Sequence, residues 1–380
     1  MTRSWLLVSS ELVETSGQGM ANLALGRYLL GRGDALHVVA HRCAPDVARA
    51  ARWHRVPRPG RSAFLGERLL ARTGRRVARA LPGARVVVNG GNCAWGDVSW
   101  VHMVHRAWDP SLRDLPLATR ARRALARWVD RRREVRIIPS ARVVIANSER
   151  TRDDLQRYLG LSRARVRVVY LGIDSTRFGP VTPDERGAAR ATLGLSAAEG
   201  VVLFVGGLGH DRLKGFDHLL SAWRDVVAER TPATLLVAGG GAVSVWREEA
   251  RRAGLAASVR FLGEVGHVER LLAASDLLVS PSRYDSYGMN VQEAIARGVL
   301  ALVSSAAGVS ERLGPDLSEL VIPPPGEEPP RALAGRILSA LRPDPSLLTR
   351  YAQLSSRIRA RDWEHMAREL VEAIEAAPGA

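Results

Sequence analysis

Short apolar runs alternate with longer segments of helical spacing along the whole chain. Runs of this length, set between helices, are typical of the buried strands of a parallel sheet. In the first half the pattern predicts strands at residues 5–9, 36–40, 85–88, 98–104, 143–146 and 166–169. It restarts in the second half, with strands at 201–205, 235–238, 259–262, 277–279 and 300–303. We therefore expect an α/β chain made of two similar, doubly wound halves.

Helices are predicted between these strands. The first opens at Gly17, with leucines at helical spacing, and ends at Gly31. Another runs from about Gly215 to Arg230. The last covers about residues 361–376, and Gly179 to Pro183 is interpreted as the linker between the halves.

Length and composition narrow the class of protein. A chain of 380 residues is too long for one ordinary core, so two domains are expected. No apolar run approaches the roughly 18–20 residues that span a bilayer. The apolar stretch at residues 5–8 is too short for a signal peptide, and two cysteines (Cys43 and Cys93) do not make a disulfide scaffold. These features favour a cytoplasmic protein.

The formal charge of +16 is unevenly distributed. Residues 1–180 contain 33 Arg and 14 acids, which is +19, whereas residues 181–380 contain 22 Arg plus Lys and 25 acids, which is −3. Lys214 is the only lysine. A lone lysine in an arginine-rich chain marks a place for a compact ammonium, and the alternative is a codon bias toward arginine, which explains part of the scarcity of lysine.

Two segments of the second half carry candidate chemistry. In the first, Gly206, Gly207 and Gly209 follow a strand, and Lys214 precedes a helix, an arrangement that suits an anionic group. A tight turn without a ligand is the alternative. In the second, Asp285 precedes a helix that begins at Gly288, and Glu293 lies on its inward face. The pair suits the hydroxyls of one ligand, while the first amides of the helix, at Gly288, Met289 and Asn290, face its phosphates. A capping carboxylate with a surface glutamate is the alternative.

These segments resemble family 4 glycosyltransferases, retaining enzymes of the GT-B fold. The acidic signature of that family is similar to residues 281–294, from Pro281-Ser282 through Asp285 and Gly288 to Glu293-Ala294. Further segments occur in family order: Ser16 to Gly19, Trp100 to His105, Ala146 to Glu149, Leu171 to Asp174, Phe204 to Gly207, Lys214 to Leu220, Val237 to Gly241, Phe261 to Gly263, Ala274 to Leu277 and Gly298 to Glu311. The resemblance covers nearly the whole chain.

The resemblance implies two Rossmann-like domains with a cleft between them. Residues 1–178 would bind the acceptor, residues 179–360 would bind the nucleotide sugar, and a terminal helix at 361–380 would cross back to the first domain. The chain would then move a sugar from a nucleoside diphosphate sugar to an acceptor hydroxyl of a glycolipid, a polysaccharide or a small metabolite. Because the phosphate site is basic, no metal cofactor is expected.

The resemblance also implies residue roles. Glu293 would bind the ribose, Asp285 the transferred sugar and Lys214 the diphosphate. Gly17, Gln18 and Gly19 would form a loop that approaches donor and acceptor. His105 would face the reacting carbon. In a strand, His102 and His105 would point to opposite faces, so only one is expected in the cleft, and a buried structural histidine is the alternative.

Two departures from the family pattern stand out. The first acid of the signature is Asp285 where many members have Glu. Gly207 stands where many members have Arg, and we expect Arg212 to supply the missing guanidinium.

Two predicted helices of the first half are basic. At about 100° per residue, one arc holds Arg61, Arg68, Arg72, Arg75, Arg76 and Arg79, opposite Leu70, Val77 and Leu81. Gly66 and Gly74 are expected to weaken this helix. Arg120, Arg123, Arg127 and Arg131 share a face of the second. Such helices lie on anionic membranes, which would place the protein at the inner membrane face. A solvated arginine face and an anionic soluble acceptor are the alternatives.

Three other functions are alternatives to a transferase. A nucleic-acid-binding protein would explain the sequence pI of about 11.1, but no nucleic-acid motif is recognised and the ligand signature lies in the near-neutral half. A GT-B sugar-nucleotide epimerase would share the donor site and need no acceptor. A catalytically dead scaffold is disfavoured because Asp285, Glu293, Lys214 and His105 are present.

Overall fold

The computed structural model describes residues 3–109, 117–229 and 232–377, apart from the side chains of Arg61, Ala63 and Ala118. These residues form two compact units. The first contains residues 3–109, 117–172 and 362–377, and the second contains the described residues between 173 and 361.

The division lies at Gly172, six residues before the boundary expected from the sequence. Residues 173–178 pack within the second unit, because Arg177 Nη2 lies 2.7 Å from Glu269 and donates to Gly266 O at 2.9 Å. The return to the first unit begins at Asp362, one residue after the expected boundary. Residues 378–380 of the expected terminal helix lie outside the described residues.

The first unit is built on a seven-stranded sheet in which every pair is parallel. The strand order is β5-β3-β1-β6-β7-β8-β9, and β2 pairs separately with β4. The strands are β1 (Ser4–Val8), β2 (Glu11–Leu12), β3 (Ala35–Ala40), β4 (Arg42–Cys43), β5 (Arg52–Arg55), β6 (Arg85–Asn89), β7 (Val98–Val101), β8 (Val143–Ala146) and β9 (Val166–Val168). The helices are α1 (Gly17–Gly31), α2 (Pro45–Ala50), α3 (Ala63–Arg79), α4 (Leu117–Ile137) and α5 (Glu149–Leu159).

The second unit repeats the pattern with a six-stranded parallel sheet of order β12-β11-β10-β13-β14-β15. Its strands are β10 (Gly200–Val205), β11 (Ala233–Ala238), β12 (Val259–Gly263), β13 (Leu277–Ser280), β14 (Leu300–Ser304) and β15 (Val321–Ile322). Its helices are α6 (Pro183–Thr192), α7 (Phe216–Glu229), α8 (Val243–Arg252), α9 (Val268–Ala274), α10 (Met289–Ala296), α11 (Pro330–Ala340) and α12 (Pro345–Arg359). The predicted α/β class with two doubly wound halves is confirmed.

Side-chain caps define where several helices begin. Ser16 accepts a hydrogen bond from Gly19 N, Ser148 from Thr151 N, and Thr182 from Glu185 N. These caps satisfy backbone donors that have no acceptor within the first turn. The terminal helix α13 (Trp363–Glu375) is capped by Asp362, and its apolar face packs on α1 in the first unit.

One strand of the first sheet, β5, was not predicted from the sequence. β5 has the sequence Arg-Trp-His-Arg and pairs only with β3 at the sheet edge. An edge strand is stabilised by its ladder and by contacts such as Trp53 Nε1 to Ala40 O at 3.2 Å, so it needs no apolar run.

No helix in the described part of the chain is both long enough and apolar enough to cross a membrane.

Candidate functional site

An ion pair marks the reversal of strand order in the second sheet. Lys214 lies between β10 and α7, and Asp285 lies between β13 and α10. Strands β10 and β13 are neighbours from which the chain continues in opposite directions across the sheet, and ligands of such sheets bind at this point, beyond the strand ends. Lys214 Nζ lies 2.5 Å from Asp285 Oδ2, with side chains 29% and 13% exposed. Two residues 71 positions apart thus share one site.

The backbone around Asp285 is fixed by the segment that follows β14. Asp285 N donates to Ala306 O at 3.0 Å, and Gly308 N donates to Asp285 O at 3.0 Å. Its Oδ1 accepts a hydrogen bond from Tyr287 N at 3.4 Å. The carboxylate is therefore held in place before any ligand arrives.

Gly288 begins α10 in the left-handed conformation, with φ of 103°. A Cβ here would lie 2.9 Å from Val309 Cγ1, so the turn requires glycine on two grounds. The first amides of α10, at Met289 and Asn290, have no acceptor within the helix. The Asn290 side chain donates to Val205 O at 3.0 Å and so ties α10 to the end of β10.

Glu293 lies in α10, beside the ion pair of Arg177 with Glu269. Burial, reinforced by the negative charge of Glu269, raises the pKa of Glu293 to about 7, although Arg177 opposes the shift. A carboxyl group with this pKa exists in both protonation states at neutral pH.

The glycines after β10 serve backbone packing as well as any ligand. A Cβ on Gly239, which follows β11, would lie 1.9 Å from Gly206 O, and Leu208 N donates to Gly240 O at 2.8 Å. The tight turn therefore accounts for Gly239. A Cβ on Gly206 itself would lie 3.2 Å from Lys214 Cγ, and its donor role stays a prediction. Gly207 differs, since a Cβ there would meet no described heavy atom within 4 Å.

A polar cavity of about 280 Å³ lies at the equivalent reversal of strand order in the first unit, between β1 and β6. It is lined by residues at or just after the carboxyl ends of β1, β6 and β7 and by side chains of α1, α3 and α4. The polar residues among them are Ser10, Gln18, Glu67, Asn89, Asn92, His102, His105, Asp130, Arg133 and Glu134.

His102 and His105 do not lie in a strand, contrary to the sequence prediction, so which of them faces the transferred sugar stays a prediction. β7 ends at Val101, so both residues follow the strand, where side chains no longer alternate, and both line the cavity. Burial lowers the pKa of His102 to about 3, and its ring packs against Trp100 with centroids 4.5 Å apart. Burial and Arg131 also lower the pKa of His105, against the opposing effect of Asp130.

Glu134, on α4, holds the turn that carries His105, a role that the sequence reasoning missed. Its two carboxylate oxygens accept hydrogen bonds from His105 N and Arg106 N, both at 2.8 Å. Burial raises the pKa of Glu134 to about 7, although these hydrogen bonds lower it. The sequence contained one indication of this role: Glu134 and Asp130 are the two acidic residues of an otherwise basic helix.

Two regions of the chain match known families. Residues 15–177 match the family described as Glycosyltransferase Family 4, and residues 199–342 match Glycosyl transferases group 1. D-inositol 3-phosphate glycosyltransferase from Nocardia farcinica is 31% identical over 324 residues, which cover 80% of this chain and 69% of that protein. The chain belongs to the family 4 glycosyltransferases.

Other similarities of this glycosyltransferase differ in extent. The first relatives of the same name match at 31–35% identity, and the chain spans only 40–49% of their length. Two solved structures are each 18% identical in sequence to this chain. Each alignment includes 99% of this chain and 100% of the solved one. They are WaaG, a glycosyltransferase involved in lipopolysaccharide biosynthesis (TM-score 0.75), and Anabaena Alr3699/HepE in complex with UDP and glucose (TM-score 0.70). These two structures show the fold, which is GT-B.

The glycosyltransferase differs from the sequence expectation at the start of α1. Gly17, Gln18 and Gly19 form the first helical turn and not a loop. A Cβ on Gly19 would lie 2.7 Å from Val13 O, so this glycine lets the first turn of α1 lie close to the segment that precedes it. Gln18 lines the polar cavity.

Arg212 has a partner within the second unit. Its Nη1 lies 3.8 Å from Asp217 Oδ2, and its guanidinium carbon lies 6.0 Å from the centre of the Trp246 ring. Arg283 binds the same carboxylate more closely, at 2.7 and 2.8 Å. A donor role of Arg212 stays a prediction.

Helix α3 has the predicted faces. Leu70 and Val77 are buried, whereas Arg68, Arg72, Arg76 and Arg79 are exposed and Arg75 is half-buried. The Arg61 side chain lies outside the described residues. Gly74 also has a packing role, because a Cβ there would lie 2.9 Å from Val8 Cγ1, so the glycine allows α3 to approach β1. The weakening of α3 by Gly66 and Gly74 stays a prediction.

The arginines of α4 are not all solvated. Arg127 and Arg131 both form ion pairs with Asp109, and Arg131 donates to His105 O at 3.2 Å and to Trp108 O at 2.8 Å. These two side chains hold the turn that carries His105.

Proposed function

We propose that this glycosyltransferase moves a sugar from a nucleoside diphosphate sugar to an acceptor hydroxyl and retains the anomeric configuration. The observation that carries the proposal is the ion pair of Lys214 with Asp285 at the strand-order reversal of the second sheet. The UDP and glucose in the HepE structure support a nucleotide sugar as donor.

The ion pair suggests how the donor is received. Without ligand, Asp285 neutralises Lys214. The diphosphate of an incoming donor offers the ammonium a second anion, so an oxygen of Asp285 becomes free to accept hydrogen bonds from sugar hydroxyls. Glu293 accepts hydrogen bonds from the ribose hydroxyls, and the first amides of α10 face the phosphates.

The acceptor binds at the polar cavity of the first unit, with His105 facing the sugar. The acceptor oxygen forms a bond to the anomeric carbon while the bond from that carbon to the phosphate oxygen breaks. The hydroxyl proton passes to the leaving diphosphate on the same face, which gives retention. Lys214 and the helix amides stabilise the charge that develops on the diphosphate.

Transfer is proposed to need no divalent metal. Lys214, Arg212 and the amides of α10 supply positive charge for the diphosphate. Activity that survives EDTA and is not raised by added Mg²⁺ or Mn²⁺ would agree, whereas activity that depends on either ion would contradict this part of the proposal.

Docking on an anionic membrane at its cytoplasmic face is proposed for the exposed face of α3. Arg68, Arg72, Arg76 and Arg79 present four cationic side chains there. Co-sedimentation with phosphatidylglycerol vesicles but not with phosphatidylcholine vesicles is expected. Equal sedimentation with both would contradict the proposal.

The central proposal is tested by thermal unfolding with a panel of nucleotide sugars. A donor that binds only the folded protein raises the midpoint temperature. At a donor concentration of 100 times its Kd, the free energy of unfolding rises by about 2.7 kcal/mol. Glu293→Ala should abolish the shift. Glu248→Ala, which changes a glutamate of α8 whose side chain is 37% exposed, should leave it intact.

Product analysis then tests the reaction. The anomeric configuration of the transferred sugar, read by NMR, should match that of the donor. The proposal fails if no nucleotide sugar stabilises the wild-type protein, and the retaining mechanism alone fails if the configuration is inverted.

A further inference from the structure

Helices α3 and α4 of the first unit enclose a groove of about 880 Å³, called here the arginine groove. Each helix contributes three guanidinium groups to it: Arg68, Arg72, Arg75, Arg132, Arg133 and Arg136. Among the described residues that line it there is no carboxylate.

Within the described part of the chain, these six arginines have no carboxylate partner. None of them has a carboxylate oxygen within 4.0 Å among the residues that the structure describes, unlike Arg127 and Arg131 of the same helix α4. Arg68 and Arg132 stack instead on aromatic rings, 4.3 Å from the centre of Phe64 and 4.1 Å from that of Trp128. Clustered, uncompensated guanidiniums repel one another and favour an anion between them.

The groove is also apolar and accessible. Leu65 and Trp128 line it and are 46% and 52% exposed. Trp128 belongs to a stripe on α4 with Leu117, Leu125 and Val135, which are 80%, 59% and 42% exposed. At about 100° per residue these four positions fall within an arc of about 80°. Exposed apolar side chains grouped in this way mark a docking surface, so the ligand combines a negative charge with an apolar part.

The arginine groove is continuous with the polar cavity beside His105. Gly91, Asn92 and Arg133 line both. A Cβ on Gly91 would lie 3.1 Å from Glu134 N, so glycine lets this loop lie close to α4 at the junction. The polar cavity offers carboxylates and amides, including Glu67, Asp130 and Asn89, which suit hydroxyl groups. One ligand can therefore span both cavities.

We propose that the acceptor is an anionic amphiphile: a hydroxylated head group in the polar cavity, a phosphate at the arginines and apolar chains along the arginine groove. The inference rests on the proposed transferase function and names its substrate class. A head-group hydroxyl would form the new bond to the anomeric carbon, its proton would pass to the leaving diphosphate, and the lipid phosphate would take no part.

Binding is tested without donor, by calorimetry on the full chain with dihexanoylphosphatidylglycerol below its critical micelle concentration. This probe has hydroxyls, one phosphate and two short apolar chains. We expect at least about 10-fold weaker binding of glycerol 3-phosphate, which lacks the chains, and of dihexanoylphosphatidylcholine, which has no net charge.

A matched pair of variants separates the groove from general electrostatics. Arg72 and Arg79 are both exposed on α3, seven residues apart, but only Arg72 lines the groove. Arg72→Gln should weaken binding of the lipid by about 10-fold or more, and Arg79→Gln by less than about twofold.

Four results would overturn the inference: no binding of the lipid, equal effects of the two variants, equal affinity for glycerol 3-phosphate, or displacement of the lipid by a tighter-binding single-stranded RNA. Glu293→Ala should leave binding of the lipid unchanged, because Glu293 belongs to the second unit. If nucleotide sugars stabilise the protein and the lipid does not bind, only this inference fails. If no nucleotide sugar binds, the proposed function fails, whatever the lipid does.

Discussion

Glu293 combines a proposed ligand contact with an energetic cost to the ligand-free protein. Its pKa of about 7 lies above the ordinary glutamate value of 4.5, mainly because of burial. The folded protein therefore holds this proton more tightly than the unfolded chain does. The resulting stabilisation is complete below about pH 4.5 and is lost as the pH rises through about 7.

Glu293→Gln should for this reason stabilise the ligand-free protein much more at pH 8 than at pH 5. The expected gain at pH 8 is on the order of 1–3 kcal/mol, because the neutral amide has no buried charge to desolvate. Urea unfolding of both proteins at the two pH values measures it. A difference that is the same at pH 5 and pH 8 would show that ionisation of Glu293 is not the cause. The variant should also lose the nucleotide-sugar shift.

Gly215 and Gly207 lie in the same loop but differ in how well they would tolerate a side chain. Gly215 has φ of 70°, and a Cβ there would lie 1.8 Å from Pro281 O, whereas Gly207 has open space in front of it. Gly215→Ala should cost roughly 3 kcal/mol or more, and Gly207→Ala within about 0.5 kcal/mol. Thermal unfolding compares the two, and equal midpoints would contradict the described path of this loop.

At the scale of elements, α4 positions the turn after β7. The sequence predicted the strand to residue 104, because the apolar pattern continues through Met103 and Val104. The strand ends at Val101. The backbone amides of His105 and Arg106 then donate hydrogen bonds to the carboxylate of Glu134. A helix that begins at Leu117 thus decides where His105 lies.

Glu134→Ala tests this dependence. Without the carboxylate, two backbone donors lose their acceptor, at about 1–3 kcal/mol each. Hydrogen exchange at His105 and Arg106 should accelerate by about 10- to 100-fold, while amides of α13 keep their rates. Unchanged exchange at both positions would mean that other contacts hold the turn. Glu134→Gln, which retains one acceptor oxygen, should give an intermediate rate.

For the whole molecule, the charge division between the halves predicts two different responses to salt. The first 180 residues carry +19 and include the arginine groove, whereas the remainder carries −3. Binding of anionic vesicles should fall steeply as NaCl rises from 50 to about 500 mM, since exposed charges are screened. The nucleotide-sugar thermal shift should change little, because its charge comes from Lys214 and nearby amides in a partly buried site. A parallel loss of both would contradict a local donor site.

The amino-acid sequence alone determined the α/β class, most strands to within one or two residues, the acidic segment and the family resemblance. These features are local, since a run of apolar residues or a glycine before a helix can be recognised within a stretch of about ten residues. It could not determine β5, which lacks an apolar pattern and is held by its neighbour β3.

Tertiary structure decided the contacts between distant positions. Lys214 meets Asp285 across 71 residues, Glu134 accepts hydrogen bonds from His105 across 29, and the arginines of α3 and α4 come to share one groove. The physical reason is that parallel strands bring their carboxyl ends to one edge of a sheet whatever their order in the chain. Periodicity shows which face of an element is apolar, and packing decides which element covers it.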